Sequence, residues 1–181
     1  MTPIFVAKFN PQNNKNINNE ERLIDYSNIY SIDRLNSSTT LEGGESVTIG
    51  NEFKLFNNID KSEIFSLNLA GSFRADENFD LPKSSYISQK TSNLVGQSKI
   101  KLNEFLDLEY DFLSDNNLGK FHYHNINSEI KINNFVSTFE FIEEGDKIGN
   151  THFIANETSL KLDDTKSLKF RTRKNKKTDL T

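Results

Sequence analysis

The chain has 181 residues, of which 34% are hydrophobic and 27% are charged, and its formal net charge is −4. It contains no cysteine, which excludes a disulfide bond or a thiolate metal site within the chain. A mean hydropathy of −0.64 and the lack of a long apolar run exclude a transmembrane helix. The small net charge, with 15 Phe and 5 Tyr, argues against disorder. The first eight residues do not resemble a signal peptide, so we expect any export signal to lie outside this sequence.

Hydrophobic and polar residues alternate along most of the chain, which is the pattern of half-buried β-strands. No segment carries the apolar stripe of an amphipathic helix. We therefore expect roughly eight strands and almost no helix. The clearest strands are predicted near 45–56, 63–74, 105–113, 120–132 and 135–143, with a further strand in which Ile154, Leu160 and Leu162 share a parity.

Turn residues separate these strands, and the predicted turns lie at 57–60, 115–119, 133–134, 144–150 and 163–166. Two longer polar stretches, near 10–28 and 75–95, are predicted to be loops. Long loops at one rim and short turns at the other are typical of membrane barrels. We predict an all-β fold, an antiparallel up-and-down meander that is part of a large outer-membrane β-barrel, open or incomplete in this fragment. Residues 1–181 would then form a single partial barrel domain.

One strand changes parity, because Phe121 and Tyr123 are odd whereas Ile126 and Ile130 are even. A β-bulge near His124 and Asn125 would reconcile the two halves of this strand.

Several groups of polar residues are candidate sites. His122 and His124 are two residues apart and could chelate a metal, but two polar residues in a sheet wall explain them better. Gly43-Gly44 suits a backbone turn rather than a phosphate loop. The acidic groups Glu42/Glu45 and Glu140/Glu143/Glu144/Asp146 could bind cations or be solvated loop charges. We predict no catalytic, cofactor-binding or metal-binding residue.

The basic stretch 169–177 could meet nucleic acid or anionic lipid, or it could be a strand whose polar face is basic. Only Phe170 interleaves its basic residues and the whole chain is acidic, so we predict no nucleic-acid site there.

Four segments follow one another between residues 26 and 96. They are YSNIYSIDRL at 26–35, LEGGESVTIG at 41–50, AGSFR at 70–74 and TSNLVG at 91–96. Together they resemble the C-terminal barrel region of the LPS-assembly protein LptD family (the organic solvent tolerance protein family), in its alphaproteobacterial form. Ser72, Phe73 and Asn93 stand where this family often has Gln, Tyr and Asp. The stretch 173–181 is similar to the family's segment before a further strand.

This resemblance implies a component of the outer-membrane machine that inserts lipopolysaccharide into the outer leaflet. The partners it implies are lipopolysaccharide, an LptE-like lipoprotein plug, periplasmic bridge components and outer-membrane lipid. It implies no enzyme and no cofactor. The family's periplasmic domain, terminal strands and cysteines have no counterpart here, so neither a lateral gate nor a disulfide is assigned.

Two alternatives remain open at this point: a generic outer-membrane porin or transporter barrel, and a soluble β-sandwich of the adhesin-like binding type. The strand near 105–113 distinguishes a barrel from a sandwich. In a barrel Leu106, Leu108, Tyr110 and Phe112 face lipid while Asp107, Glu109 and Asp111 face the lumen, whereas a sandwich buries the apolar row and exposes the carboxylates to water.

Overall fold

The computed structural model describes residues 1–84, 86–145, 148–163 and 165–175, which form nine strands and no helix. The strands are β1 (Thr2–Asn10), β2 (Gly44–Phe56), β3 (Glu63–Arg74), β4 (Leu94–Asn103), β5 (Leu106–Ser114), β6 (Phe121–Ile132), β7 (Phe135–Glu144), β8 (His152–Lys161) and β9 (Ser167–Asn175). The described part of the chain therefore has no helix long and apolar enough to cross a membrane.

All nine strands belong to one sheet, in which each strand pairs antiparallel with the next along the chain. This confirms the predicted all-β meander. A β-sandwich consists of two packed sheets, so the sandwich alternative is wrong for the described residues. Within these residues β1 and β9 are the free edges and do not pair with each other, so the sheet is open.

The predicted alternation of long loops with short turns holds only from β1 to β5. The links β2–β3, β4–β5, β6–β7 and β8–β9 are short turns at one end of the strands. At the other end 11–43 and 75–93 are long loops, whereas the β5–β6 and β7–β8 links are short. The predicted turn at Asn133-Asn134 joins β6 to β7, and Asn133 has a φ of 52°. Asparagine tolerates this left-handed conformation better than most residues do.

Nine strands agree with the predicted total of roughly eight, but β1 and β4 lie where no strand range was predicted. The structure also corrects two loop boundaries. The first loop spans 11–43 instead of 10–28, because Ile29 and Leu35 are each only 1% exposed and pack into a core instead of beginning a strand. The second loop ends at residue 93, two residues earlier than predicted.

The two long loops cover part of one face of the sheet, here called the inner face. Loop side chains form a hydrophobic core with inner-face strand residues, namely Ile17, Ile24, Ile29, Leu35, Leu81 and Ile87 with Ala70, Val95, Leu113 and Tyr123. The four strand residues lie in one row across the sheet, since Ala70 pairs with Val95, Val95 with Leu113 and Leu113 with Tyr123. A backbone hydrogen bond of 2.8 Å from Ile17 N to Asp80 O joins the two loops to each other.

The opposite face, here called the outer face, exposes a band of large apolar side chains. Its members include Phe5, Phe9, Ile49, Phe53, Leu55, Phe73, Phe121, Ile130, Ile132, Phe135, Phe139, Leu160, Leu168 and Phe170. Such a contiguous exposed apolar surface is rare on soluble monomers and marks contact with lipid or a partner.

The β-bulge lies at His122, not at the predicted His124–Asn125. Leu113 pairs with Tyr123 whereas Ser114 pairs with Phe121, so His122 is the extra residue of β6. The bulge lies at His122 because the residues on its two sides face opposite ways. Tyr123 points inward and is only 9% exposed in the core, whereas Phe121 packs against Phe112 on the outer face.

Candidate functional site

Charged and polar side chains line the inner face. In β5, Asp107, Glu109 and Asp111 have the same parity as the inner-face residue Leu113, whereas the apolar row from Leu106 to Phe112 has the other parity. The Nε2 atom of Gln97 in β4 donates hydrogen bonds of 2.9 Å to Glu109 and to Asp111. The predicted separation of the two rows is therefore confirmed.

A buried ion cluster attaches the first long loop to the sheet. Glu42, at the end of this loop, is 1% exposed and contacts Arg34 of the same loop, Arg74 of β3 and Lys8 of β1. Its Oε2 atom accepts hydrogen bonds of 2.9 Å from Arg34 Nε and from Lys8 Nζ. Its Oε1 atom accepts hydrogen bonds from both guanidinium groups.

The remaining donors of the two arginines bind the surrounding strands and loops. Arg34 donates to the hydroxyls of Ser46, Thr48 and Ser72, all of which are buried. Arg74 donates to the carbonyl of Gly43. Gly44, which follows, has a φ of 89°, and a Cβ there would lie 2.8 Å from the Arg74 guanidinium, so this position requires glycine.

The charge of Glu42 is stabilised by these contacts. Burial by itself raises the pKa of Glu42, but the hydrogen bonds and charges of Arg34 and Lys8 outweigh it, and the pKa lies below its ordinary value of 4.5. Glu42 is therefore the counterion of the protein's own cations. It is neither a site for an external cation nor a solvated loop charge, the two alternatives that the sequence left open.

An open groove of about 530 Å³ lies on the sheet beyond the loops, across β4 to β7. The charged residues that line it are Lys99, Lys101, Asp107, Glu109, Glu129 and Glu140. Lys99 pairs with Glu109 at 3.2 Å, in a partly exposed contact that contributes little to stability.

The second predicted acidic group is divided between the two faces. Glu140 pairs with Asn127 and Glu144 with Tyr123 on the inner face, whereas Glu143 pairs with His124 on the outer face. Asp146 lies outside the described residues.

The histidines do not form a common site. His122 stacks on Tyr86 of the second loop and lies 2.7 Å from Asp115, whereas His124 stacks on Phe121 and contacts the Tyr110 hydroxyl on the outer face. The bulge therefore separates the pair that equal strand parity would have brought together. In the described part of the chain, no three His, Asp or Glu side chains are placed to hold a metal ion.

The basic stretch is β9, and part of its charge is neutralised by the neighbouring strand. Glu157 of β8 lies 3.7 Å from Lys169 and 2.5 Å from Arg171. The Arg173 guanidinium lies 4.0 Å from the centre of the Phe153 ring, in cation–π contact. Lys176 and Lys177 lie outside the described residues, and the lack of a nucleic-acid site stays a prediction.

Sequence reasoning did not identify the ion cluster, although Arg34, Glu42 and Arg74 all lie in segments that carry the resemblance to a known family. The one sequence signal for the cluster is that Arg74 has the same parity in β3 as Ser66 and Ser72, which indicates that it lies on the polar face of this strand.

Comparison with known proteins agrees with this geometry. The sequence model of the family LptD, LPS transport system D, matches residues 1–148, which is most of the chain. No curated protein matches the sequence significantly. The matched residues contain the ion cluster, both long loops and strands β1 to β7. The chain therefore belongs to the LptD family of lipopolysaccharide transport proteins.

Proposed function

We propose that this chain forms part of the outer-membrane barrel by which an LptD protein inserts lipopolysaccharide into the outer leaflet. The observation that carries the proposal is the two-faced sheet in a chain of this family. Its outer face exposes an apolar band, and its inner face carries the charged residues of the groove.

The free energy of placing each face against lipid favours one orientation of the sheet in a membrane. A basic residue that faces lipid costs about 2–4 kcal/mol at the membrane midplane, and an acidic one somewhat less. The inner face of β5 alone would bring Asp107, Glu109 and Asp111 into hydrocarbon if the sheet were reversed. With the apolar band toward lipid, these carboxylates stay hydrated.

Lipopolysaccharide is amphipathic and matches both environments. Its acyl chains suit the hydrocarbon around the outer face, and its polar sugars suit the hydrated inner face. We propose as further partners an LptE-like lipoprotein plug inside the barrel and the periplasmic bridge that delivers the lipid. The proposed location is the outer membrane of a Gram-negative cell, and the proposed activity is transport, not catalysis.

The proposal is tested by depleting the full-length protein in its own host and following newly made lipopolysaccharide. Depletion should stop its arrival at the cell surface, and the wild-type gene should restore it. A full-length variant with Leu108→Lys, which places a charge on the outer face, should restore it poorly because the barrel inserts poorly. The matched control is Leu118→Lys in the exposed β5–β6 turn, which should complement normally.

A generic porin or transporter makes the opposite prediction. Its depletion would change the permeability of the outer membrane to small solutes and leave surface lipopolysaccharide at its normal level. That result would overturn the proposal.

A further inference from the structure

Basic side chains follow one another along the inner face of β9. Phe153 of β8 lies on this face, because it is only 7% exposed and pairs in register with Ile142, which packs against the core. The guanidinium group of Arg173 lies 4.0 Å from the centre of the Phe153 ring, so it lies on the same face. Arg171 and Lys169 share the strand parity of Arg173. The inner face of β9 therefore carries a row of three basic side chains.

This row continues into a cavity of about 420 Å³ at the turn between β8 and β9. Lys161, Lys166 and Lys169 line the cavity, together with Asn133 and Asn134 of the β6–β7 turn. The set of Lys161, Lys166, Lys169, Arg171 and Arg173 is here called the basic strip. Alternate residues of a strand lie about 7 Å apart, so the part of the basic strip on β9 extends over about 13 Å. It is longer than a single small ion.

Two carboxylates of the described chain contact the basic strip, and both are already engaged. Glu157 is shared between Lys169 at 3.7 Å and Arg171 at 2.5 Å. Asp163 accepts hydrogen bonds from two backbone N–H groups of its own turn, and Asp164 lies outside the described residues. The side chains of Lys169 and Arg171 are 57% and 68% exposed. The described strip therefore keeps an excess of positive charge that a ligand can reach.

The charge of the inner face reverses beside the basic strip. Arg173 pairs in register with Ala155, and Ala155 pairs with Glu140 of β7. Two strand spacings correspond to about 10 Å, so the carboxylates of the open groove begin one strand beyond Arg173. An anion on the inner face is therefore attracted to β8 and β9 and repelled from the groove.

The chemistry of the basic strip suits a ligand that carries several phosphate groups on a sugar. Arginine forms paired hydrogen bonds with phosphate, and lysine adds a point charge. Ser159 and Ser167 also line the cavity, and hydroxyl groups both donate to and accept from sugar hydroxyls. Nucleic acid fits less well, because Phe170 has the outer-face parity and Arg173 covers Phe153. The described strip therefore offers no aromatic platform on which bases could stack.

We propose that the basic strip binds phosphate groups on the saccharide of lipopolysaccharide as the lipid enters the barrel lumen. This inference rests on the proposed function, which makes the inner face the wall of that lumen. The β8–β9 turn lies at the end opposite the long loops, which in outer-membrane barrels is the periplasmic end. The strip thus begins where the lipid arrives. A transported molecule must also leave, and Glu157 limits its affinity by competing for Lys169 and Arg171.

The test measures the binding of an oligosaccharide to the purified full-length protein in detergent micelles by fluorescence anisotropy. The probe is a labelled lipopolysaccharide oligosaccharide that has lost its acyl chains and kept its phosphates, so it does not partition into micelles. Its counterpart is the same oligosaccharide without phosphates. The phosphorylated probe should bind, salt should weaken its binding, and the counterpart should bind at least about tenfold more weakly.

Three variants change side chains at the surface of the strip or beside it. The double variant Arg171→Gln and Arg173→Gln should weaken binding by about tenfold, as expected for lost charge-assisted hydrogen bonds. Glu157→Gln should tighten binding by about threefold, because it frees Lys169 and Arg171 from a surface ion pair. A misfolded variant would not gain affinity. The matched control is Lys174→Gln, on the same strand but with outer-face parity, which should leave binding unchanged.

Several outcomes would overturn the inference. They are no binding of the phosphorylated probe, equal binding of its counterpart, equal loss in the control and the double variant, and binding that neither the double variant nor Glu157→Gln alters. Displacement of the probe by inorganic phosphate at the probe's own concentration would assign the strip to free phosphate ions and overturn it as well. Unfolding on heating verifies that each variant is folded.

Failure of this inference is distinguishable from failure of the proposed function. Normal surface lipopolysaccharide in depleted cells would contradict the proposed function, whatever the purified protein binds. A full-length protein that delivers lipopolysaccharide to the surface but does not bind the phosphorylated probe would contradict this inference alone.

Discussion

At the scale of single residues, Glu42 is a buried carboxylate that contacts three cations, Lys8, Arg34 and Arg74. Its single negative charge offsets only one of their three positive charges. Breaking a buried ion pair by removing one partner costs about 3–5 kcal/mol, because the other partner is left charged and unpaired. The three cations come from a strand, a loop and another strand, so Glu42 holds together elements that are distant in sequence.

Replacing Glu42 with Gln should release the first loop from the sheet. The substitution keeps the size of the side chain but removes the negative charge that three cations share. We expect cleavage within 11–43 by an added protease to increase at least about tenfold in the full-length protein, since a loss of 1.4 kcal/mol is already tenfold in an opening equilibrium. The control is Glu45→Gln, because Glu45 is exposed at the start of β2. Equal cleavage of the two variants would show that the cluster does not attach the loop.

The loop should also loosen in acid, and the sign follows from the pKa of Glu42. This pKa is lower in the folded protein than its ordinary value of 4.5, so the folded state binds fewer protons than the unfolded state near that pH. The stabilisation is complete at neutral pH and is lost as the pH falls through the folded pKa. Digestion of 11–43 by an acid-active protease should rise below about pH 4. Glu42→Gln has no carboxyl group at this position, so its digestion should not increase in acid. If its digestion still increased as in the wild type, other carboxylates would be responsible for the acid response.

At the scale of the strands, β5 separates apolar and acidic side chains more completely than its neighbours do. Tyr110 and Phe112 stack with ring centroids 5.4 Å apart on the outer face, and Asp111 accepts hydrogen bonds from Gln97 and Asn125 on the inner face. A shift of one residue in register would exchange the two rows completely. The facing of this strand is therefore a direct test of the barrel assignment.

Single cysteines at positions 108 and 109 of the full-length protein should report opposite environments. Leu108→Cys should be protected from a water-soluble thiol reagent, and a spin label on it should respond to a lipid-phase quencher. Glu109→Cys should react with the water-soluble reagent and should not respond to the quencher, because its side chain lies on the inner face. Because the positions are adjacent, each is the control for the other. The reverse pattern would show that the apolar row does not face lipid.

At the scale of the whole molecule, the described sheet is open and two-faced. Its edge strands β1 and β9 do not pair with each other, and its outer face carries large exposed apolar side chains. Unpaired strand edges and large apolar surfaces both promote association between chains. The polar inner face cannot prevent this association, because the apolar band lies on the opposite face of the same strands.

The isolated 181-residue chain should therefore not exist as a monodisperse monomer in water. Size-exclusion chromatography with light scattering should show large, polydisperse species without detergent, and smaller species in detergent micelles. The full-length protein in the same detergent is the control, since it would leave no edges free if its barrel closes. A stable detergent-free monomer of this chain would contradict the assignment to a membrane barrel.

The sequence by itself determined most of the strands, their antiparallel order and their two faces. Period-two alternation is a local property of the chain, and turn residues such as Asn133-Asn134 specify hairpins from neighbouring residues alone. β5 shows this well, because its seven residues from Leu106 to Phe112 contain both the apolar row and the acidic row. The ordered segments 26–96 likewise indicated the family that the comparison confirms.

Only the tertiary structure decided where the loops lie, where the bulge falls and what surrounds Glu42 and Tyr123. Ile29 and Leu35 are buried by strands that come later in the chain, and Tyr123 turns inward because a core of loop residues is there to receive it. Glu42 meets Lys8 and Arg74 across more than thirty positions of sequence, at 34 and 32 residues. These contacts depend on which surfaces the folded sheet brings together, and no local pattern of polarity encodes that.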